Sequence, residues 1–407
     1  MKSSIYKNNY AALSANQQTL FTELIEYACQ SLEPSATKRE LAEKRYKSVG
    51  TWLAESDEAM FIGAEIYPQG SQRIGTTTKP IFREEFDLDF ICYLPNAVGI
   101  HPDVCRQKVI ARIKENGNFK DLVCELNRGC RLDYADEFHL DITPGIPDQN
   151  NADEFGAISV PDKKLKEWKA SNPKGYAQNF DNKARLEPIY IGISDAIFGR
   201  VALEAKNIEA LPKHAKLKGI LKRGVQIMKR HRDLLFYDNA KFDGKAPISI
   251  IITTLAALAY EDIVSQQRFN NELEVLLTVV ECMPRYIETK VVDGNIEMWV
   301  TNPKNSHENF AEKWNVDPNR IEAFRFWHND FVQQLIDLSS VASLPLIREK
   351  LKVLLGEQTS ISAIDKHFDV LNEQREKQNL FVKKTGAISA VATATPVRAN
   401  TFFGKRV

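Results

Sequence analysis

Apolar residues recur along this chain in two rhythms, and the change between them divides it. Across 13–55 the spacing is helical, with Leu20, Leu24, Ile25 and Ala28 on one stripe and a break near Pro34-Ser35, so two helices are expected. Across 61–143 apolar positions alternate, as they do in strands. Phe61, Ile62, Ile66 and Tyr67 predict one short strand, 86–93 a second, and 130–134 and 138–143 two more, with a helix intervening around 103–115. The stretch 150–206 is polar and punctuated by Pro and Gly, with helical fragments near 163–170, and reads as a crossover along a cleft. From Leu217 the helical rhythm returns in 217–237, 248–266, 271–283, 321–338 and 343–355, interrupted by a hairpin at 290–301 around Asp293-Gly294-Asn295. After about Phe381 the rhythm is lost in a tail rich in Ala, Thr, Ser and Val, which is expected to be mobile. The expected architecture is α+β: a mixed-sheet core with N-terminal helices (1–205), a helical second domain (206–381), a cleft between them and a tail (382–407).

The chemistry concentrates in 69–89, QGSQRIGTTTKPIFREEFDLD. Gly70-Ser71 predicts a tight turn leading into a helix start over 72–79, and such a turn points free backbone N–H groups at one spot. With the Ser71 hydroxyl they suit a bound triphosphate. On the strand that follows, alternation sends Asp87 and Asp89 the same way, roughly 7 Å apart, where two carboxylates can share Mg²⁺ or Mn²⁺ with substrate phosphate oxygens. A Gly-Ser turn alone is usually only a turn, and an Asp-x-Asp strand is more often a solvated face. Their order and spacing carry the reading, because a triphosphate cradle without metal ligands would be chemically incomplete.

A two-ion site calls for a third carboxylate beside the attacking hydroxyl. Asp141, in FHLDITP, shares a face with His139 and Thr143 while Phe138, Leu140 and Ile142 share the other, and Pro144 ends the strand. Asp133, in CRLDY, alternates equally well. If the two segments form a hairpin, matching apolar faces requires an odd loop, 135–137, which sets Arg131 opposite Asp141 and Asp133 opposite His139. Asp133 then sits nearer the loop end, and Asp141 is favoured.

Composition narrows the setting. Apolar residues make up 43% of 407, which is ordinary for two globular domains around one cleft. No run reaches the length of a membrane span and the Met-Lys-Ser-Ser start lacks a signal-peptide core, so a cytoplasmic protein without membrane partners is expected. Six scattered cysteines form no Cys-x-x-Cys pair, and the seven histidines show no metal-ligand spacing. Formal net charge is zero, with 54 acidic and 54 basic residues, so nucleic-acid binding is not expected. One basic run, 213–232, holds Lys213, Lys216, Lys218, Lys222, Arg223, Lys229, Arg230 and Arg232 with His214 and His231, and reads mostly as a solvated helix face.

Gln69-Gly70-Ser71 with Asp87-Leu88-Asp89, and the strand from His139 to Pro144, resemble the motifs of the DNA polymerase beta type nucleotidyltransferase superfamily. The segment from Trp168 to Tyr176, and Asn302-Pro303 with Asn309-Phe310 and Trp314, are similar to the CD-NTases, the bacterial relatives of cyclic GMP-AMP synthase. The resemblance runs from about Tyr67 to Trp314. It implies a nucleotidyltransferase core against a helical domain and an enzyme that uses two Mg²⁺ or Mn²⁺ ions. The enzyme would join NTPs into a cyclic di- or trinucleotide second messenger with release of pyrophosphate, in bacterial antiphage signalling. It makes Asp87, Asp89 and Asp141 the catalytic metal ligands and Gln69, Gly70 and Ser71 nucleotide-binding. It adds Lys229 and Ser249 as contacts to the triphosphate. Where some relatives place a base-stacking aromatic beside that serine, this chain has Ile250. The resemblance further implies control by a partner protein or a stress-derived ligand, with the 381–407 tail as a segment to grip, and a downstream effector acting through the product. The three-aspartate set is common to the superfamily and does not choose a product. Extension of RNA ends or synthesis of linear oligonucleotides is the same-fold alternative, and a silent nucleotide-sensing module the non-enzymatic one.

Overall fold

The computed structural model describes residues 15–81, 86–134, 138–151, 153–191, 219–341 and 343–377, with three short strand segments, Phe381–Val382, Ile388–Ser389 and Thr395–Pro396. The expected boundary near 205, the loop 135–137, the first part of the basic run (213–218) and nearly all of the tail lie outside the described residues.

Helices α1 (Ala15–Ser31) and α2 (Ala36–Ala54) part where Ser35 caps the second, its hydroxyl accepting the Lys38 N–H. The break separates two cores. Phe21, Leu24 and Ala28 of α1 join the apolar cluster of the helical half, whereas Ala42, Val49 and Leu53 of α2 pack under the sheet.

The sheet follows the alternating segments. Strands β1 (Glu65–Pro68), β2 (Phe86–Tyr93), β3 (Val123–Glu125), β4 (Cys130–Tyr134) and β5 (Phe138–Pro147) lie in the order β1-β2-β5-β4-β3. Helix α3 (Gly70–Ile74) joins β1 to β2, and α4 (Pro102–Lys114) carries the chain from β2 toward β3. Strands β2 and β5 run parallel while β1 and β4 flank them antiparallel, and a parallel pair needs the long crossover that α4 begins. Leu88, Phe90, Cys92, Leu132, Leu140 and Ile142 pack onto Cys105, Val109 and Ile113 of α4. Period two then leaves Asp87, Asp89, Arg131, His139 and Asp141 on the opposite face.

Three local expectations change. The 61–67 strand begins only at Glu65, after a 3₁₀ turn at Ala59–Phe61. The helix expected over 72–79 starts at Gly70 itself and stops at Ile74, because Gly75 takes a left-handed conformation (φ 74°) and ends it. The helical fragments near 163–170 are instead a hairpin, β6 (Ile158–Asp162) and β7 (Glu167–Ser171). Asp162 Oδ1 accepts the N–H groups of Lys164 and Leu165, so the Asp side chain nucleates a turn that outweighs the helical propensity of the lysines.

The helical half comprises α5 (Pro173–Ala184), α6 (Ile220–Phe236), α7 (Ser249–Gln266), α8 (Glu272–Cys282), α9 (Glu312–Val316), α10 (Asn319–Ser339), α11 (Leu344–Leu355) and α12 (Glu357–Glu376). The hairpin at Asp293-Gly294 is present, both residues at positive φ, joining Glu288–Val292 to Asn295–Trp299. Helix α12 was not marked by the apolar rhythm, since beside Ile364 what it buries is small or polar: Thr359, Ser360 and Ala363. Among the described residues no helix is long and apolar enough to cross a membrane.

Candidate active site

The Gly-Ser segment is built directly onto β2. The Gln69 N–H donates to the Asp89 carbonyl at 2.8 Å, and Gly70 follows at φ 61°, opening α3. The carbonyl of Ser71 accepts the Thr76 N–H at 2.9 Å, folding 76–78 back beside the turn, where Thr77 Oγ1 lies 3.5 Å from Ser71 Oγ.

Strand register assembles the carboxylates. Asp89 stands opposite Asp141, and Asp87 opposite His139. On the other side of β5, Arg131 is opposite Asp141 and Asp133 opposite His139, the hairpin register expected from alternation. Asp133 is a strand further from β2 and its carboxylate lies 3.3 Å from His139 Nε2, so of the two candidates Asp141 is the neighbour of Asp89. The strands concerned are interior to the sheet, so the aspartates occupy its open face, not an edge.

This face is electrostatically loaded. Burial, then the neighbouring Asp141 and Asp87, push the Asp89 carboxyl up to about 7, against the opposing pull of Arg131 and Lys229. Arg131 grips Asp141 in two-pronged fashion, Nε to Oδ1 at 2.7 Å and Nη2 to Oδ2 at 2.9 Å, and Nη2 is also 3.3 Å from Asp87 Oδ1. Hydrogen bonding to Asp141 raises the Arg131 pKa further. Three crowded carboxylates, one of them resisting ionisation, form an all-oxygen, anionic donor set of the kind hard divalent cations fit. As the side chains stand, with Arg131 on Asp141, no three such groups among the described residues close around one point.

Helix α6 forms the facing wall. Lys229 is buried and its Nζ donates to the Thr76 carbonyl at 2.8 Å, while Gln226 Nε2 donates to the Thr77 carbonyl at 2.8 Å. Arg230 donates to the Leu355 carbonyl, and Arg223 pairs with Glu272 at 2.8 Å. Arg232 reaches the Pro247 carbonyl and Ser249 Oγ, at 2.9 and 3.0 Å. The part of the basic run that is described is therefore mostly buried and spent on internal acceptors, contrary to the solvated face expected. The carbonyls of Thr76, Thr77, Lys79 and Pro247 lie outside regular structure and must find donors, and Lys229, Gln226, Arg230 and Arg232 supply them. Ser249 is the first residue of α7, and Asp181 of α5 bridges Arg73 of α3 (2.8 Å) and Lys222 of α6 (2.9 Å).

Between sheet and helices lies a cleft of about 1120 Å³, lined by Gln69, Gly70, Ser71, Asp87, Asp89, Lys229, Ser249 and Ile250 among others. Of the catalytic and nucleotide-binding residues expected from sequence, all but Asp141 reach its surface. Arg131, Asp181 and Gln226 were missed as site residues. The alternation that placed Arg131 opposite Asp141 was the available signal for the first, whereas Asp181 and Gln226 are meaningful only through contacts distant in sequence.

Residues 18–183 match the family described as the Second Messenger Oligonucleotide or Dinucleotide Synthetase domain. Over 400 residues, 96% of this chain and 99% of the relative, the sequence is 30% identical to a c-di-GMP synthase of Roseivirga ehrenbergii. The chain belongs to the CD-NTase family. This CD-NTase shares its fold with CdnG of Bradyrhizobium diazoefficiens, solved in complex with GTP (TM-score 0.63, 20% identity, 86% of this chain and 98% of that one). It shares it also with CdnC of E. coli MS115-1 solved with ATP (TM-score 0.57, 13% identity, 82% and 97%), which has been solved too as a complex named CdnC:HORMA-deltaN. It is a nucleotidyltransferase that makes a cyclic oligonucleotide, so the silent sensing module is set aside.

Proposed function

We propose that this CD-NTase joins two GTP molecules into cyclic di-GMP with release of two pyrophosphates, using a pair of Mg²⁺ or Mn²⁺ ions held by Asp87, Asp89 and Asp141. The observation that carries the site assignment is the stacking of three features in one place: the Gly70-Ser71 turn on Asp89, Asp141 in register with Asp89, and Lys229 lining the same cleft as the turn and Asp89. The product assignment is supported by full-length similarity to a protein named for that product.

In this reading the α3 N–H groups and the Ser71 hydroxyl donate to the triphosphate, and Lys229 neutralises it from the opposite wall. Ser249 donates its hydroxyl to a phosphate oxygen, a geometry Arg232 holds in place. A ribose hydroxyl oxygen of one nucleotide bonds the α-phosphorus of the other, the bond to pyrophosphate breaks, and the hydroxyl proton passes by way of the carboxylate face to solvent. Bound cations supply charge neutralisation and acidify that hydroxyl. A second such step closes the ring, because the linear intermediate kept in the cleft meets its own terminal hydroxyl at high effective concentration.

Mass spectrometry of products from GTP alone, and from all four NTPs, tests this. The product should resist terminal phosphatase and weigh two GMP residues without added water. A phosphatase-sensitive ladder would promote the linear alternative, and a strict need for a second base would overturn the product. We further propose that the nucleotide acts through an effector in phage defence under control of a protein or stress-derived ligand. The HORMA-named complex of CdnC supports a protein regulator. Loss of protection in cells carrying the Asp89→Asn enzyme is the expected readout.

A further inference from the structure

We propose that Arg131 is the resident counter-cation of the carboxylate face, occupying Asp141 and Asp87 before substrate arrives and making metal loading wait for the nucleotide; this rests on the metal reading above. Three distances carry it. Both Asp141 oxygens accept from Arg131, at 2.7 and 2.9 Å, and the same Nη2 reaches Asp87 at 3.3 Å. Paired, charge-assisted bonds of this kind are about twice as strong as neutral ones, and here they tie up ligands from two different strands. A cation entering alone must break them. A cation entering with a triphosphate brings phosphate oxygens as extra ligands and as an alternative partner for the guanidinium.

The surroundings give the released side chain somewhere to go. Asp133 lies two positions along β4 on the same face, and its side chain is 49% exposed. His139 connects the two positions, its Nδ1 being 3.4 Å from Arg131 Nη1 and its Nε2 3.3 Å from Asp133. Arg131 can therefore pivot along its own strand, from Asp141 toward Asp133, without leaving the face. A purely structural salt bridge predicts the reverse of a counter-cation. Without it Asp141 would lose its orientation, and metal would bind more weakly.

Mn²⁺ titrations followed by electron paramagnetic resonance, with and without a non-hydrolysable GTP analogue, decide between these. In the absence of nucleotide, Arg131→Gln should bind Mn²⁺ at least about tenfold more tightly than the unaltered enzyme, with Arg131→Lys between them. With the analogue present the difference should shrink. Melting temperature gives a second readout: Mn²⁺ should raise that of R131Q more than that of the parent. Equal or weaker Mn²⁺ binding by both variants, with the parent still binding Mn²⁺ in the presence of the analogue, overturns the counter-cation role alone. If the parent binds no Mn²⁺ even with the analogue, the metal reading itself falls.

Discussion

Gly70 lies so close to Asp89 that a β-carbon at position 70 would stand 2.6 Å from the Asp89 carboxylate oxygen Oδ2. Gly70 also sits at φ 61°, where an L-residue is strained by about 1–2 kcal/mol. Gly70→Ala should lower unfolding stability by roughly that amount. It should also push the carboxylate out of place, reducing turnover on the order of 100-fold. Urea melts and pyrophosphate release measure the two effects separately, and an alanine variant with parental turnover would disconnect the turn from the chemistry.

Asp89 titrates in the wrong range for a free carboxyl. Its folded value of about 7 exceeds the usual 3.8, so the stability it contributes is fully present below about pH 4 and is lost as pH rises through 7. In chelator, the parent should lose stability relative to Asp89→Asn between pH 5 and 7.5, and added Mg²⁺ should reverse the loss. At subsaturating Mg²⁺ turnover should rise with pH, because proton and cation compete for Asp89, while D89N stays folded and inactive. A flat stability difference across that range would contradict the burial and carboxylate crowding described above.

Lys229→Ala removes both a buried ammonium and the donor to the Thr76 carbonyl. The loss should raise the KM for GTP more than it lowers kcat, since a point charge on phosphate contributes to ground and transition states alike. An unfilled carbonyl should also cost about 1–3 kcal/mol in melts. An unchanged KM would reassign the residue to a purely structural role.

Asp181 ties α3, α5 and α6 together through Arg73 and Lys222. Burial pushes its carboxyl up, but the two cations more than offset this and leave it below the usual range. Its contribution is thus present above about pH 4 and fades as pH falls through the lowered folded value. Asp181→Asn should destabilise by about 1 kcal/mol near neutrality and by less in acid, with a raised KM because the phosphate turn is no longer anchored to the helical wall. Equal stability of parent and D181N at pH 7 would show the bridge to be idle.

What could be read from sequence follows the range of the forces involved. Alternation over a few residues was enough to put Asp87 and Asp89 on one face, and two apolar patterns with an odd loop were enough to set Arg131 against Asp141. The parallel match of Asp89 with Asp141 is another matter, because the pairing of β2 with β5 is made across a crossover whose length says nothing about register. The hairpin at 158–171 was misread because a single side chain, Asp162, decides it. The burial of Arg223 and Arg230 was misjudged because charge reads as exposure until the acceptors that take up their donors are seen.

The parallel join between β2 and β5 bears on how the protein is born. No hairpin can zip it, so Asp89 and Asp141 meet only after everything between them has emerged and folded back, a slow, non-local step. Even then a ribosome-bound chain shows an open carboxylate face with nothing across from it, since Lys229 and Ser249 are translated later and α12, packed on α1, later still. A polypeptide that ends before α6 therefore carries the aspartates without the wall that faces them, and should make no product.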